Sequence, residues 1–430
     1  MKFRKVSAML LVGAMCAMSF AGCQKKTSSS QDPSSQDPSS QNPSSQDAAS
    51  EEKITATIKV STPSEDQSAE NGSWIQTVCE EFNKLHPNWD LTFEFVQVGE
   101  DKCGDEVIKD VDAAADVFMF ANDQLQKLID AGAIAEIGGT NKEQVIASNS
   151  ELMVSSVSVG DALYGIPYTA NTWFMYYNKK AYSEEDIKSL DTMLEKGHVS
   201  FPFTTAWYNA SFYLGNGCTF FGPDGTDNDA GFDITGDKAT DVTKYLIDLC
   251  ANPNFADKGD PSSLMDGTAD CAFGGTWNYN DLKKALGDDL GIAVAPKFTV
   301  NGEAKQMMSF AGSKALGVNA KTKYPQIAVA LAMYIGGEES QKSHYEKRAI
   351  VPCNLKLLED EVFKNDELVI AQNAATNGNS VIQPLVSNMS KWWSAAENFT
   401  NNIKSGEINA DNYVEQTQKF YEELNASSGI

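Results

Sequence analysis

Hydrophobic and polar positions along residues 51–430 switch repeatedly between a period of two and a period near 3.6. Ile54, Ala56, Ile58 and Val60 alternate with Thr55, Thr57 and Lys59, which predicts a half-buried strand. A polar loop follows, Thr62-Pro63-Ser64-Glu65-Asp66-Gln67. Trp74, Val78, Phe82 and Leu85 then recur at three- and four-residue spacing, which predicts an amphipathic helix stopped by Pro87. Leu91, Phe93 and Phe95 mark a second strand, and residues 115–120 a third. Asn122-Asp123 reads as the cap of a helix that ends at Gly132. Further on, 164–177 is a long apolar and aromatic stretch, 240–249 is helical, and 269–274 and 290–295 are short strands. Tyr324-Pro325 opens a helix that runs to Gly336, and a last helix carries Tyr413, Val414, Phe420 and Leu424. Alternating strand and helix predicts a parallel α/β sheet with ligands near the carboxyl ends of its strands. The length fits two such lobes better than one sheet.

The first fifty residues follow different rules. Lys2, Arg4 and Lys5 precede an apolar run over 6–20 that ends in Ala21-Gly22-Cys23. That is the layout of a secretory signal. A cysteine directly after Ala-Gly is what a bacterial lipoprotein signal looks like, with Cys23 lipidated as the new N-terminus. Residues 24–50 repeat Ser-Ser-Gln-Asp-Pro and contain no aromatic residue, so they cannot bury enough apolar surface to offset ordering entropy. Such a tether would span about 30 Å on average and at most about 90 Å. These features predict a body held on the outer face of a cell membrane by lipid alone, since no second apolar run approaches the ~20 residues a span needs.

Charge narrows the partners. The formal net charge is -25, and losing residues 1–22 makes it more negative by three. Such a body repels nucleic acid and anionic lipid. Cys79, Cys103, Cys218, Cys250, Cys271 and Cys353 contain no Cys-x-x-Cys pair, and sequence cannot choose among their possible pairings. Free, buried thiols are the expectation for a cell living without oxygen. There is no Gly-x-Ser-x-Gly, no phosphate-binding Gly-rich loop and no His-Glu-x-x-His. The Asp- and Asn-rich stretch 224–233 lacks the spacing of a calcium loop and reads as a turn. No cofactor or metal is expected. Glu65 and Asp66 are neighbouring acids that a glycoside-acting enzyme could use, but adjacent residues point different ways.

The aromatic residues carry more information. Sugars present apolar C–H faces and rims of hydroxyls, so a sugar site needs flat aromatic platforms with carboxylates or amides beside them. Trp74 and Trp173 read as core. Trp277, after Gly274-Gly275, and Trp393, beside another tryptophan in polar company, do not.

At these residues the body resembles the extracellular solute-binding proteins of carbohydrate ABC importers, in the maltose/maltodextrin-binding branch. The segment from Asp116 to Gln124 is similar to the family segment facing the sugar; it implies Phe120 as a platform and Asp123 as a hydroxyl acceptor, with Gln124 in place of the usual Arg. Tyr164-Gly165-Ile166-Pro167-Tyr168 and Tyr176-Tyr177-Asn178-Lys179 resemble the hinge crossing, and Asn171 stands where maltose binders have a Glu. Phe273-Gly274-Gly275-Thr276-Trp277-Asn278-Tyr279 resembles the Gly-x-Trp loop, implying contacts from Trp277 and Tyr279. Met389-Ser390-Lys391-Trp392-Trp393-Ser394 resembles the segment of the main platform, which falls to Trp393. Trp207 or Tyr208 falls where another platform is expected, and Glu65, Asp66 and Gln67 where the first lobe makes polar contacts.

The resemblance implies a two-lobe α/β binding-protein fold. Residues 51–168 and 315–361 would form the N-terminal lobe, and 169–314 with 362–430 the C-terminal lobe. A hinge would close them on a malto-oligosaccharide of three or more units. The monomeric protein would deliver this sugar to a membrane permease without chemistry. Gln124 and Asn171 keep xylo-, galacto- and gluco-oligosaccharides open as the ligand, and a glycoside-acting enzyme stands as the rival class.

Overall fold

The computed structural model describes residues 53–426. The expected signal, Cys23 and the Ser/Pro-rich stretch read as a tether lie outside the described residues. Two sheets organise the chain. The first runs in the order Ser380–Ile382, Ser309–Val318, Val117–Ala121, Ile54–Thr62, Trp89–Gln97, with Ile166–Asn171 also paired to Ser309–Val318. The second has the order Phe255–Asp257, Val199–Phe201, Cys271–Gly274, Phe174–Asn178, Leu290–Ala293. The result is a two-lobe α/β fold.

The alternating pattern at residues 54–60 becomes the strand Ile54–Thr62, with Ala56, Ile58 and Val60 buried. It pairs in parallel with Trp89–Gln97 and Val117–Ala121. The helix Trp74–Leu85 buries Trp74, Val78 and Phe82. Leu85 is 63% exposed, because the chain turns away at His86, whose ring stacks on Trp89 at 4.1 Å. The helix Pro325–Ile335 starts on proline, whose missing N–H would be unsatisfied there anyway.

Three expectations change. The sheets are mixed: Ser309–Val318 runs antiparallel to both Val117–Ala121 and Ile166–Asn171. Asn122-Asp123 forms no side-chain cap; a 3-10 turn, Asn122–Gln124, leads into the helix Leu125–Asp130, and Asn122 instead accepts a bond from Asn171 Nδ2 at 3.3 Å. The loop at 62–67 contains a short helix, Ser64–Gln67.

The aromatic stretch 164–177 divides into Ile166–Asn171 of the first sheet and Phe174–Asn178 of the second, so the chain passes directly between sheets there. Phe174–Asn178 is covered on both faces. Phe174 and Tyr176 enter one core with Leu282, Leu290 and Leu368, while Met175 and Tyr177 enter another with Phe201, Phe212 and Trp392. Burial on both faces explains why that strand reads as continuously apolar. The six cysteines of the described residues are free, and five are buried. In the stretch 224–233, Asp227 Oδ1 accepts from the backbone N–H groups of Asp229 and Ala230, a turn.

Candidate functional site

A cleft of about 1310 Å³ is bordered by both lobes, larger than the ~300–1,000 Å³ usual for small-ligand sites. Glu65, Asp66, Glu100, Asp123, Gln124 and Lys314 come from the first-sheet side, and Trp207, Tyr208, Trp277 and Trp393 from the second. Asn171, at the passage between sheets, is in the wall too. Nine of the twelve residues expected from sequence to bind ligand therefore meet at one cleft.

Each aromatic is held differently. Trp207 and Tyr208 open the helix Ala206–Gly215. The Trp207 indole donates Nε1–H to Gln383 Oε1 at 3.1 Å and stands perpendicular to Tyr208, centroids 5.2 Å apart. Tyr208 is buried against Trp173, and that burial pushes its phenol well above the usual range. Trp277 lies on the 3-10 turn Thr276–Asn278, tilted 38° to Trp207 at 6.3 Å. Gly275 permits that placement: a Cβ there would come 2.2 Å from Trp277 Cζ3. On the helix Ser390–Ser405 the two adjacent tryptophans part company, since neighbours on a helix point about 100° apart. Trp392 is fully buried and donates to Ala206 O at 3.0 Å, while Trp393 is half-buried at the cleft, edge-on to Phe310.

The polar side is already partly neutralised. Asp66 is 2% exposed; its Oδ1 accepts from Arg348 Nη1 at 2.6 Å and lies 2.9 Å from His344 Nε2. Burial opposes its charge, but His344 and Arg348 outweigh that and hold the carboxyl below the usual range. Trp74 stacks on His344 at 3.7 Å, nearly parallel. Glu65 is exposed, whereas Asp66 is buried and already paired with Arg348 and His344. Asp123 accepts from Gln124 Nε2 at 2.9 Å, and burial raises its carboxyl. Gln124 Oε1 is buried without a hydrogen-bond partner.

Three expected residues lie elsewhere. Phe120 is fully buried in the first core, because Val117–Ala121 is covered on both faces. Gln67 turns its amide inward, donating to Thr62 O at 3.1 Å and Val96 O at 2.8 Å. Tyr279 packs with Tyr345 and Phe363 around a separate cavity of about 450 Å³. Residues that sequence reasoning missed include Glu100, Lys314, His344, Arg348 and Gln383. Two left a signal. Lys314 is the one charged residue of Ser309–Val318, and Arg348 is the only arginine after Arg4.

A sequence profile described as bacterial extracellular solute-binding protein matches residues 77–371. The chain belongs to that family. This solute-binding protein is 25% identical over 440 residues to the galactooligosaccharide-binding protein of Bacillus subtilis (strain 168), covering 97% of this chain and 96% of the relative. It is 26% identical over 322 residues to the maltodextrin-binding protein MdxE of the same organism, 68% of this chain and 73% of the relative. A solved structure determined with acarbose matches at 44% identity and TM-score 0.84, over 86% of this chain and 99% of that one. The maltodextrin binding protein MalE1 of L. casei BL23, solved without ligand, shares the fold at 24% identity and TM-score 0.78, over 87% and 100% of the two chains. The family is extracellular, which places the solute-binding protein outside the cytoplasm, and it and these relatives are named for binding.

Proposed function

We propose that the chain captures malto-oligosaccharides of three or more units for an ABC importer. The observation that carries this reading is the cleft itself, where Trp207, Trp277 and Trp393 stand opposite Glu65, Asp123 and Glu100. Three platforms at about 0.5–1.5 kcal/mol each favour an oligosaccharide over a monosaccharide. Two lobes, divided near residues 168, 314 and 361 as expected from sequence but with all of Ser309–Val318 and Ser380–Ile382 in the first, close on a ligand that touches both. The closed monomer docks on a permease and releases the sugar unchanged. Cys23 carries the lipid that keeps it at the outer face of the membrane. The likeness to a structure determined with acarbose supports the reading.

A second reading, galacto-oligosaccharides, is favoured by the relative of that name, which aligns over 97% of this chain. Calorimetric titration separates the two, using the chain from residue 23 onward with Cys23→Ser and malto-, galacto-, xylo- and gluco-series. Micromolar binding of maltotriose, lost in Trp393→Ala, supports the first reading. Binding confined to another series moves the sugar assignment there, and product formation during incubation would point to an enzyme.

A further inference from the structure

Lys314 is out of place by the rules that shape its strand. The other nine residues of Ser309–Val318 are buried, and lysine is rarely taken into such surroundings without a partner. Its side chain is only 15% exposed. The ammonium lies 3.2 Å from Glu100 Oε1 and 4.7 Å over the ring of Trp277. Glu100 is itself fixed, accepting a bond from Tyr168 O–H at 2.8 Å. The pairing with Ile166–Asn171 shifts register between Lys314 and Ala315, the kind of irregularity that re-aims a side chain. Lys314, Glu100 and Trp277 all line the cleft.

An ammonium has three donors, and one carboxylate oxygen and a ring face leave capacity for a further acceptor. A cation above the Trp277 ring and a sugar stacked on it compete for the same π face. A sugar that takes that face displaces the ammonium by a short distance only, because the Glu100 carboxylate 3.2 Å away keeps it near the ring.

We propose that Lys314 is a specificity-determining residue of the cleft. Its ammonium rests on Trp277 when the cleft is empty and donates to ligand hydroxyls when a sugar takes that face, with Glu100 holding it in reach. This rests on the reading of the cleft as a sugar site. The lysine reads hydroxyl position at one edge of the stacked ring, which an aromatic face alone cannot do.

Calorimetry with maltotriose and a galacto-trisaccharide tests it on the chain from residue 23 onward with Cys23→Ser. Lys314→Met is expected to weaken the preferred sugar at least about tenfold, as loss of a charge-assisted hydrogen bond should, and to lower the unfolding midpoint, because Glu100 loses its cation. Lys314→Arg is expected to recover most of that loss. Glu100→Gln, which keeps the lysine but frees it, should weaken binding by a smaller factor. Wild-type binding matched by Lys314→Met overturns the lysine's role alone, and so does a Lys314→Arg variant as weak as Lys314→Met. If Lys314→Met does not fold, full-strength binding by Glu100→Gln overturns it. Silence of the wild type toward every sugar removes the sugar reading and this inference together.

Discussion

Gly275→Ala is a one-methyl perturbation with a calculable result. Gly275 has φ -110° and ψ -167°, an extended conformation that alanine adopts without strain. The cost is therefore all in contacts. The new Cβ would fall 2.2 Å from Cζ3, 2.3 Å from Cη2 and 2.6 Å from Cε3 of Trp277, where ordinary contact begins at 3.4 Å. Tyr176 O–H donates to Gly275 O at 2.8 Å and resists movement of the backbone, so the indole must retreat by about 1.2 Å. Overpacking of this kind costs about 1–3 kcal/mol of stability. The displaced ring also loses its stacking contact, about 0.5–1.5 kcal/mol, which weakens the ligand about 2- to 12-fold. Titration with maltotriose measures the second quantity and urea unfolding the first. Gly275→Ala combined with Trp277→Ala should bind no worse than Trp277→Ala alone, because both act through one ring. Undiminished affinity in Gly275→Ala, in a protein whose wild type binds, would refute the reasoning.

Asp66→Asn leaves Arg348 and His344 buried without their anion, and breaking such a pair should cost about 3–5 kcal/mol, read from the urea midpoint at pH 7. Because the folded Asp66 carboxyl is held below its ordinary value of 3.8, its stabilisation is complete above that value. It is lost as pH falls through the folded value, and Asp66→Asn should lack that acid limb; equal midpoints for both proteins would sink the ion-pair account. Phe120→Ala should lower stability by about 3–5 kcal/mol as a core truncation while leaving the affinity of folded protein within about twofold; selective loss of binding would restore Phe120 as a platform. Burial pushes the Cys218 and Cys250 thiols up to about 12 and the other four higher still. A thiol reagent at pH 8 should therefore find little to react with until the protein is unfolded, then titrate the six; fewer than six without reductant would reveal a disulfide.

What was legible in the sequence followed from periodicity. The strand Ile54–Thr62 and the helices Trp74–Leu85 and Pro325–Ile335 each bury one repeating set of side chains, and the spacing of that set is written locally. Strand direction is not written locally. Ser309–Val318 must run against two neighbours whose strands lie far earlier in the chain, and nothing in its own residues states that. The same limit separates the site residues. Trp277 and Trp393 were readable because glycine or polar neighbours leave an indole little core to join. Phe120 and Tyr279 have the same chemistry but face away, and only the packed sheet or helix decides facing.

The polar groups of the cleft are likewise paired non-locally. Asp66 meets Arg348, Glu100 meets Lys314, and Trp207 meets Gln383, all across long stretches of chain. None of these side chains has its partner among its neighbours in sequence. Yet a buried charge must have a partner somewhere, because the uncompensated group would cost several kcal/mol. A lysine inside an otherwise uncharged and buried strand, and a single arginine beyond residue 4 where every other cation is lysine or histidine, are therefore demands for a partner that can be read before the partner is known. Arginine is the side chain suited to a buried carboxylate, since it is weakly hydrated and always charged. The Asp66 loop and the helix Glu338–Arg348 supply that pair at one wall of the cleft. The demand at Lys314 is met by Glu100 and Trp277 from opposite sides of the cleft, so satisfying a burial requirement of the fold also brings a cation to the place where the two sides must recognise one ligand.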